Sequence, residues 1–141
     1  MEQIYTHPKR KTKVVFVQLG SPSEPTTKAL RKYLKKFLGD PRVVDINPWL
    51  WKIILNFFVL PFRPKKSAKL YARIWDGKSF PLITNTRDFT NNVREELKKI
   101  DTNGHVEVNH AFLLSPPYVN EVYDSWEDDL KKGVGATKLL V

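Results

Sequence analysis

Cysteine is absent from the 141 residues. That removes disulfide frameworks, thiol nucleophiles, thiolate zinc sites and cysteine-held iron–sulfur clusters, and it is compatible with a reducing compartment. Glycine is sparse, with six residues, and neither Gly-x-Gly-x-x-Gly nor Gly-x-x-x-x-Gly-Lys-Ser/Thr occurs. The Gly20-Ser21-Pro22 turn is a poor phosphate cradle, because Pro22 and Pro25 each lack the N–H that such a cradle uses. Gly-x-Ser-x-Gly is missing, so no hydrolase nucleophile elbow can be assigned. Acid is in deficit, with 15 Asp and Glu against 24 Lys and Arg, a net charge of +9. Long apolar runs are also lacking. The longest, Trp49–Leu60, is closed by Pro48 and Pro61 and falls short of the roughly 20 residues that cross a bilayer. The first dozen residues are polar and basic, with no apolar centre of the kind a secretory signal requires.

What is present describes a folded protein. Hydrophobic residues make up 41% and charged residues 28%, near globular averages. The length suits one domain able to bury about two-thirds of its unfolded surface. The charge is unevenly spread. Lys28, Arg31, Lys32, Lys35 and Lys36 form one basic cluster and Arg63, Lys65, Lys66, Lys69 and Arg73 another, whereas Glu121, Asp124, Glu127, Asp128 and Asp129 are an acidic stretch. Such a molecule is drawn to nucleic acid, acidic lipid or a ligand carrying carboxylates. Nucleic acid is disfavoured, since aromatics are not interleaved with the basic runs as a stacking platform needs.

Residues 1–12 read as a flexible basic tail. Val14–Leu19 is a short, nearly continuous apolar run, the pattern of a strand buried on both faces of a parallel sheet. The Gly20–Thr26 loop follows, with Thr26 or Thr27 capping a helix that ends near Gly39 and carries Ala29, Leu30, Tyr33, Leu34, Phe37 and Leu38 on its apolar face. Asp40-Pro41 stops it. Trp49–Leu60 reads as helical and Pro61-Phe62-Arg63-Pro64 as a turn into a second basic helix, Lys65–Arg73. A loop at 76–81, a helix over 84–100, a strand over 106–114 and a helix over 118–132 come next. Gly133 and Gly135 then punctuate a last strand over 136–141, with nothing after it to lead the chain out of the sheet. Alternating strands and helices predict an α/β fold, a mostly parallel sheet with flanking helices. Ligands of such sheets lie beyond the carboxyl ends of the strands, and Gly20–Thr26 is the first such edge.

Histidine is limited to His7, His105 and His110. On one strand, residues 105 and 110 point to opposite faces and cannot chelate a metal together. For His110, hydrogen bonding at a strand edge outweighs a catalytic role. Trp49–Leu60 has three readings: a buried core helix, a helix lying in a membrane interface ahead of Arg63, Lys65 and Lys66, or an aromatic wall for a large flat apolar ligand. Arg63, between Pro61 and Pro64, suits bidentate binding of a carboxylate.

Taken together, Val14-Val15-Phe16-Val17-Gln18-Leu19-Gly20-Ser21-Pro22, the stretch Tyr33 to Asp45, the stretch Leu60 to Trp75 and Gly77-Lys78-Ser79-Phe80-Pro81-Leu82 resemble, in order, the N-terminal half of ferrochelatases. These enzymes insert ferrous iron into a porphyrin in haem biosynthesis. The resemblance runs from about Lys13 to the last residue and implies a chelatase-like, Rossmann-type half-domain over 13–141 with an apolar lip helix at 48–61. It also implies a set of porphyrin-binding positions: Leu19 against the macrocycle, Lys36 nearby, Arg63 at a propionate, and Tyr71 and Ser79 in the pocket. Trp49, Trp51, Ile54, Phe57 and Phe58 become the lip, used for substrate entry and membrane contact. No cofactor is implied, since ferrous iron and porphyrin are substrates.

The chain departs from the family after the second main strand, where Leu113-Leu114 stands in place of an Arg-Tyr pair, followed by Ser115-Pro116-Pro117. The family's metal-handling histidine and glutamate lie in its C-terminal half, so no catalytic or metal-binding residue is assigned here. The expected partners are porphyrin, the C-terminal half or a second copy of the chain, and a membrane surface touched peripherally from a cytoplasmic location. Two other functions fit the same residues. One is a non-catalytic porphyrin- or haem-binding module; the other is a basic protein binding nucleic acid or anionic membrane.

Overall fold

The computed structural model describes residues 11–101, 105–131 and 135–137. They belong to two compact units, one built from the chain up to Gln18 together with the chain from Asn85 onward, the other from Leu19–Thr84.

The first unit holds the sheet. Strands β1 (Lys11–Gln18), β2 (Val106–Phe112) and β3 (Gly135–Thr137) lie in the order β2-β1-β3. Both pairings are parallel, with Val14 opposite Val108 and Thr12 opposite Ala136. The α/β class and the parallel sheet are therefore as the sequence predicts. The boundary of the basic tail is not: Lys11 and Thr12 are paired in β1, because backbone groups flanked by strands on both sides gain ladder bonds whatever their side chains. Residues 1–10 and 138–141 lie outside the described set, and with them the start of the tail and the end of the last strand.

Side chains alternate along β1, as the pleat requires. Val15 packs with Ala111 and with Trp126 of helix α5 (Val119–Lys131), joined by Val17, Val119 and Val122. Phe16 points the other way and meets Phe89 of helix α4 (Pro81–Ile100) edge-on, ring centres 5.0 Å apart. Burying a side chain such as Val15 contributes about 1.5–3 kcal/mol. Lys13 shares the α5 face and is buried, with Nζ 3.5 Å from Glu107 and 5.2 Å from the Trp126 ring centre. On α4 the buried Thr90 hydroxyl donates to the Thr86 carbonyl at 2.7 Å, so burial leaves it no unmet donor. Arg94 donates to the Val108 carbonyl at 2.6 Å and to the Asn109 side-chain oxygen.

The second unit is helical. Helix α1 (Thr27–Leu38) is capped by Thr26, whose hydroxyl oxygen accepts from the Ala29 N–H at 3.2 Å. Helix α2 (Pro48–Ile54) is capped by Asn47, which accepts from Trp49 and Leu50. The expected break at Pro61–Pro64 does not occur, so the lip is not a separate 48–61 helix. A wide π-turn over Leu55–Val59 carries the chain straight into helix α3 (Leu60–Tyr71), followed by a 3-10 turn at Ala72–Ile74. Pro61 falls in the first turn of α3, where its missing N–H is not needed, and the widened turn relieves the clash that a proline ring makes in a tight helix. The second basic helix thus begins at Leu60 rather than Lys65. Leu30, Tyr33, Leu55, Leu60, Pro64, Ala68 and Phe80 are the buried core of this unit. Loop 76–80 precedes α4, which starts at Pro81 rather than Thr84, Ile83 and Thr84 both donating to the Phe80 carbonyl.

Candidate functional site

All five positions expected to meet a porphyrin, Leu19, Lys36, Arg63, Tyr71 and Ser79, fall in the helical unit. A connected set of contacts links three of them. The loop after β1 opens on half-exposed Leu19 and turns at Gly20, whose φ of 91° is a conformation that only glycine adopts without strain. The Gly20 carbonyl accepts from the Tyr33 hydroxyl at 3.2 Å, which fastens the loop to α1. Tyr33 is buried, and its phenol is pushed up to about 12, first by burial and then by the nearby Tyr71. It is therefore a neutral donor at any physiological pH. Tyr71, at the end of α3, packs edge-on against Phe80 with ring centres 5.3 Å apart. Trp75 covers the same ring at 4.6 Å. Next to Phe80 stands Ser79, whose hydroxyl is directed to the Phe80 carbonyl at 3.5 Å.

The turn bearing Ser79 is held by Asp76. Its Oδ1 accepts from the N–H groups of Lys78 and Ser79, and these bonds, Ser79 first, lower its carboxyl below the usual aspartate value. Gly77 supplies the φ of 95° that closes the turn. This is an Asx turn, so Ser79 is positioned through its backbone N–H.

The other two positions are cationic and lie apart from this set. Arg63 is exposed on α3 and makes no ion pair or hydrogen bond among the described residues. It precedes Tyr71 by two helical turns and a fraction, roughly 12 Å along the axis. Lys36 is one turn beyond Tyr33 on α1, on the rim of a shallow depression shared with Lys35, Asp40 and Arg42.

The five lip residues divide. Trp49, Phe57 and Phe58 are 75%, 70% and 66% exposed, beside Phe62, also exposed. Trp51 and Ile54 are half-buried. The Trp51 indole N–H donates to the Leu38 carbonyl at 2.7 Å, tying the start of the lip to the end of α1. Trp51 is thus an anchor of the lip rather than part of its outer face. Among the described residues no helix is long and apolar enough to cross a membrane.

In the sheet unit, among the described residues no cluster of three or more His, Asp or Glu side chains is arranged to hold a metal ion. His105 precedes β2, and its carbonyl accepts from Thr12 N–H at 2.6 Å. Only His110 is on the strand, and the hydrogen bond expected at the strand edge is absent. Its buried Nδ1 has no partner, and burial, then Arg94 and Arg87, lower its pKa, keeping the ring neutral. Its ring instead meets Phe112 at 5.6 Å. At the Leu113-Leu114 pair, Leu113 is exposed while its N–H donates to the Gln18 carbonyl at 3.0 Å, and Leu114 is half-buried ahead of buried Ser115.

Tyr33 is the residue that sequence reasoning missed. It reads as one more apolar position among Leu30, Leu34 and Phe37. Its sole distinguishing signal is a hydroxyl on an otherwise hydrocarbon face, which requires a partner once buried.

Comparison with known proteins gives a consistent result. A family model described as Ferrochelatase matches residues 11–139. The ferrochelatase of Idiomarina loihiensis is 40% identical over 128 residues, 91% of this chain and 34% of the relative. That of Francisella tularensis subsp. tularensis is 35% identical over 142 residues, 99% of this chain and 39% of the relative. That of Psychrobacter cryohalolentis is 62% identical over a shorter stretch of 66 residues, 47% of this chain and 20% of the relative. The chain thus spans little more than a third of the length of the relatives that match nearly all of it.

Proposed function

Because the chain belongs to the ferrochelatase family, we propose that it supplies the porphyrin-binding wall of an enzyme that inserts ferrous iron into a porphyrin for haem biosynthesis. The carrying observation is the match over residues 11–139, nearly the whole chain. The helical unit supports it with the surface that such a substrate needs: exposed apolar and aromatic groups, and a guanidinium with no partner among the described residues. A porphyrin is a flat apolar ring with carboxylates at its edge, so it is held by hydrophobic contact over the ring and by cations at the rim.

In this reading Leu19 packs on the macrocycle, and Tyr33 positions that contact through Gly20. Arg63 binds a propionate bidentately, Lys36 adds a second positive charge, and Tyr71 and Ser79 offer hydroxyls within the pocket. Metal entry expels the pyrrole protons, and a base must accept them. That base and the iron-handling groups come from the rest of a relative-length chain or from a second copy. Trp49, Phe57 and Phe58, with Lys65 and Lys66 following, give the lip a peripheral contact with membrane at a cytoplasmic face, where a poorly soluble substrate is delivered.

Titration of the purified chain with protoporphyrin, followed by the Soret band, tests the binding claim. Saturable binding is expected, weakened about 10- to 100-fold by Arg63→Ala, as suits a charge-assisted contact of about 1.5–3 kcal/mol. No saturable change in the band would remove the porphyrin reading. A metal-insertion assay then separates the enzyme from a non-catalytic porphyrin-binding module, which binds the ring and turns over under no condition.

A further inference from the structure

A second cavity lies in the helical unit, and it contains none of the five porphyrin positions. Its volume is about 420 Å³, within the range of small-molecule sites but near the lower end. It is a cleft open to solvent on one side, between the C-terminal end of α1, the link over residues 39–47 and the start of the lip. Val44, Ile46, Trp51 and Leu55 form its apolar lining, with Lys35 and Lys52 at its margin and no acidic side chain among its lining residues. Neither lysine forms an ion pair among the described residues.

We propose that this cavity binds the hydrocarbon chain of a single-chain fatty acid, with the carboxylate held by Lys35 and Lys52. Three observations lead to that occupant. The lining is apolar, so the body of the ligand is hydrocarbon. Among the described residues the charged groups lining the cavity, Lys35 and Lys52, are positive, so its head is an anion. The volume is suited to one flexible chain and is too small for the two chains of a phospholipid together with a head group, or for a porphyrin ring at the larger end of the range. Trp49 and Leu50, which precede Trp51 on the same short helix, are exposed, so a ligand arriving at a lipid surface meets the chain within one helical turn of the cavity. Occupancy acts on the lip directly, since Trp51 both lines the cavity and fastens α2 to Leu38.

Titration of the full chain with dodecanoate below its micellar concentration, by calorimetry and by tryptophan fluorescence, tests the assignment. The expected result is saturable binding of one dodecanoate per chain, at least tenfold weaker for dodecanol, and reduced at least tenfold by the paired change Lys35→Glu, Lys52→Glu. Ile46→Trp, which fills the cavity from a partly exposed position, is expected to abolish binding. Should that variant fail to fold by circular dichroism, the surface pair Lys35→Glu, Lys52→Glu decides alone. Absence of saturable binding, equal affinity for dodecanol, affinity unchanged in the folded variants, or binding to phosphatidylglycerol vesicles without binding to free dodecanoate would each overturn the proposal. Porphyrin titration of the same variants keeps this result separate, because Arg63 and the other porphyrin positions are untouched.

Discussion

Replacing Tyr33 by Phe removes one oxygen atom and nothing else, yet it should both weaken the helical unit and change how its stability depends on pH. The hydroxyl donates to the Gly20 carbonyl at 3.2 Å, longer than the usual O–H···O bond, so its net contribution lies in the ordinary range for a neutral pair, about 1 kcal/mol. The carbonyl left behind is near buried side chains and adds part of a desolvation penalty, which brings the expected loss to about 1–2 kcal/mol at pH 7. For a chain of this size that lowers the melting temperature by about 4–8 °C. At high pH the comparison reverses. The folded phenol titrates at about 12 against an ordinary 10.0, so between those values the unfolded chain has lost the proton and the folded chain still holds it. Stability contributed by Tyr33 is fully present below pH 10 and falls as pH rises towards 12, by on the order of 2–3 kcal/mol. Phe does not ionise and has no such loss. Urea unfolding of both proteins at intervals from pH 7 to 12 measures the difference directly: the parent should be the more stable near neutrality and the less stable near pH 12. A constant difference across that range would refute the argument, as would a Phe variant equal to its parent at pH 7.

Other substitutions probe neighbouring parts. Leu30→Ala, at a fully buried position, should cost about 2–5 kcal/mol in the same urea measurement. Trp51→Phe removes the bond to the Leu38 carbonyl and should cost about 1 kcal/mol, with faster amide exchange at the start of α2; unchanged exchange there would mean that the indole does not fasten the lip. Asp76→Ala deletes the acceptor that closes the Ser79 turn. Since the aspartate's pKa is lowered in the fold, its contribution is present above the ordinary carboxyl range and disappears as pH falls through and below it, so parent and variant should converge in stability in acid. Trp49→Ser, at the most exposed of the lip tryptophans, should leave the unfolding midpoint unchanged while reducing partition onto anionic vesicles several-fold, read by sedimentation.

Much of the fold could be read from residue patterns, for reasons that are local. The apolar run Val14–Val17 has one physical solution in a chain that alternates strands and helices, and the Thr26 cap is a contact over three residues. Pro61 misled because a proline's effect depends on what precedes it. Here Pro61 follows a π-turn and falls in the first turn of the next helix, and Pro64 is accommodated inside that helix. Nothing in Leu55-Asn56-Phe57-Phe58-Val59 announces the wider turn. The candidate site was legible only in part for a related reason. Arg63 and the lip carry their chemistry in their residue types. The Tyr33–Gly20 bond spans 13 positions, and the Trp51–Leu38 bond depends on where α1 ends; such pairings are decided by packing between elements. His110 shows the converse: its histidine identity invites a role, and its buried, unpartnered nitrogen gives no hydrogen bond in return.

The π-turn also fixes where this helix tolerates a change of length. Inward positions follow one another at Trp51, Leu55, Leu60, Pro64 and Ala68, four residues apart except across the π-turn, where the interval is five. Each residue of an α-helix turns the chain by about 100°, so an insertion or deletion elsewhere rotates one flank away from its contacts. Removing a residue between Leu55 and Leu60 only restores the interval of four. A variant of this chain one residue shorter at this turn should therefore keep both flanks seated, which makes the outward aromatic display the part of the helix that is free to vary in count.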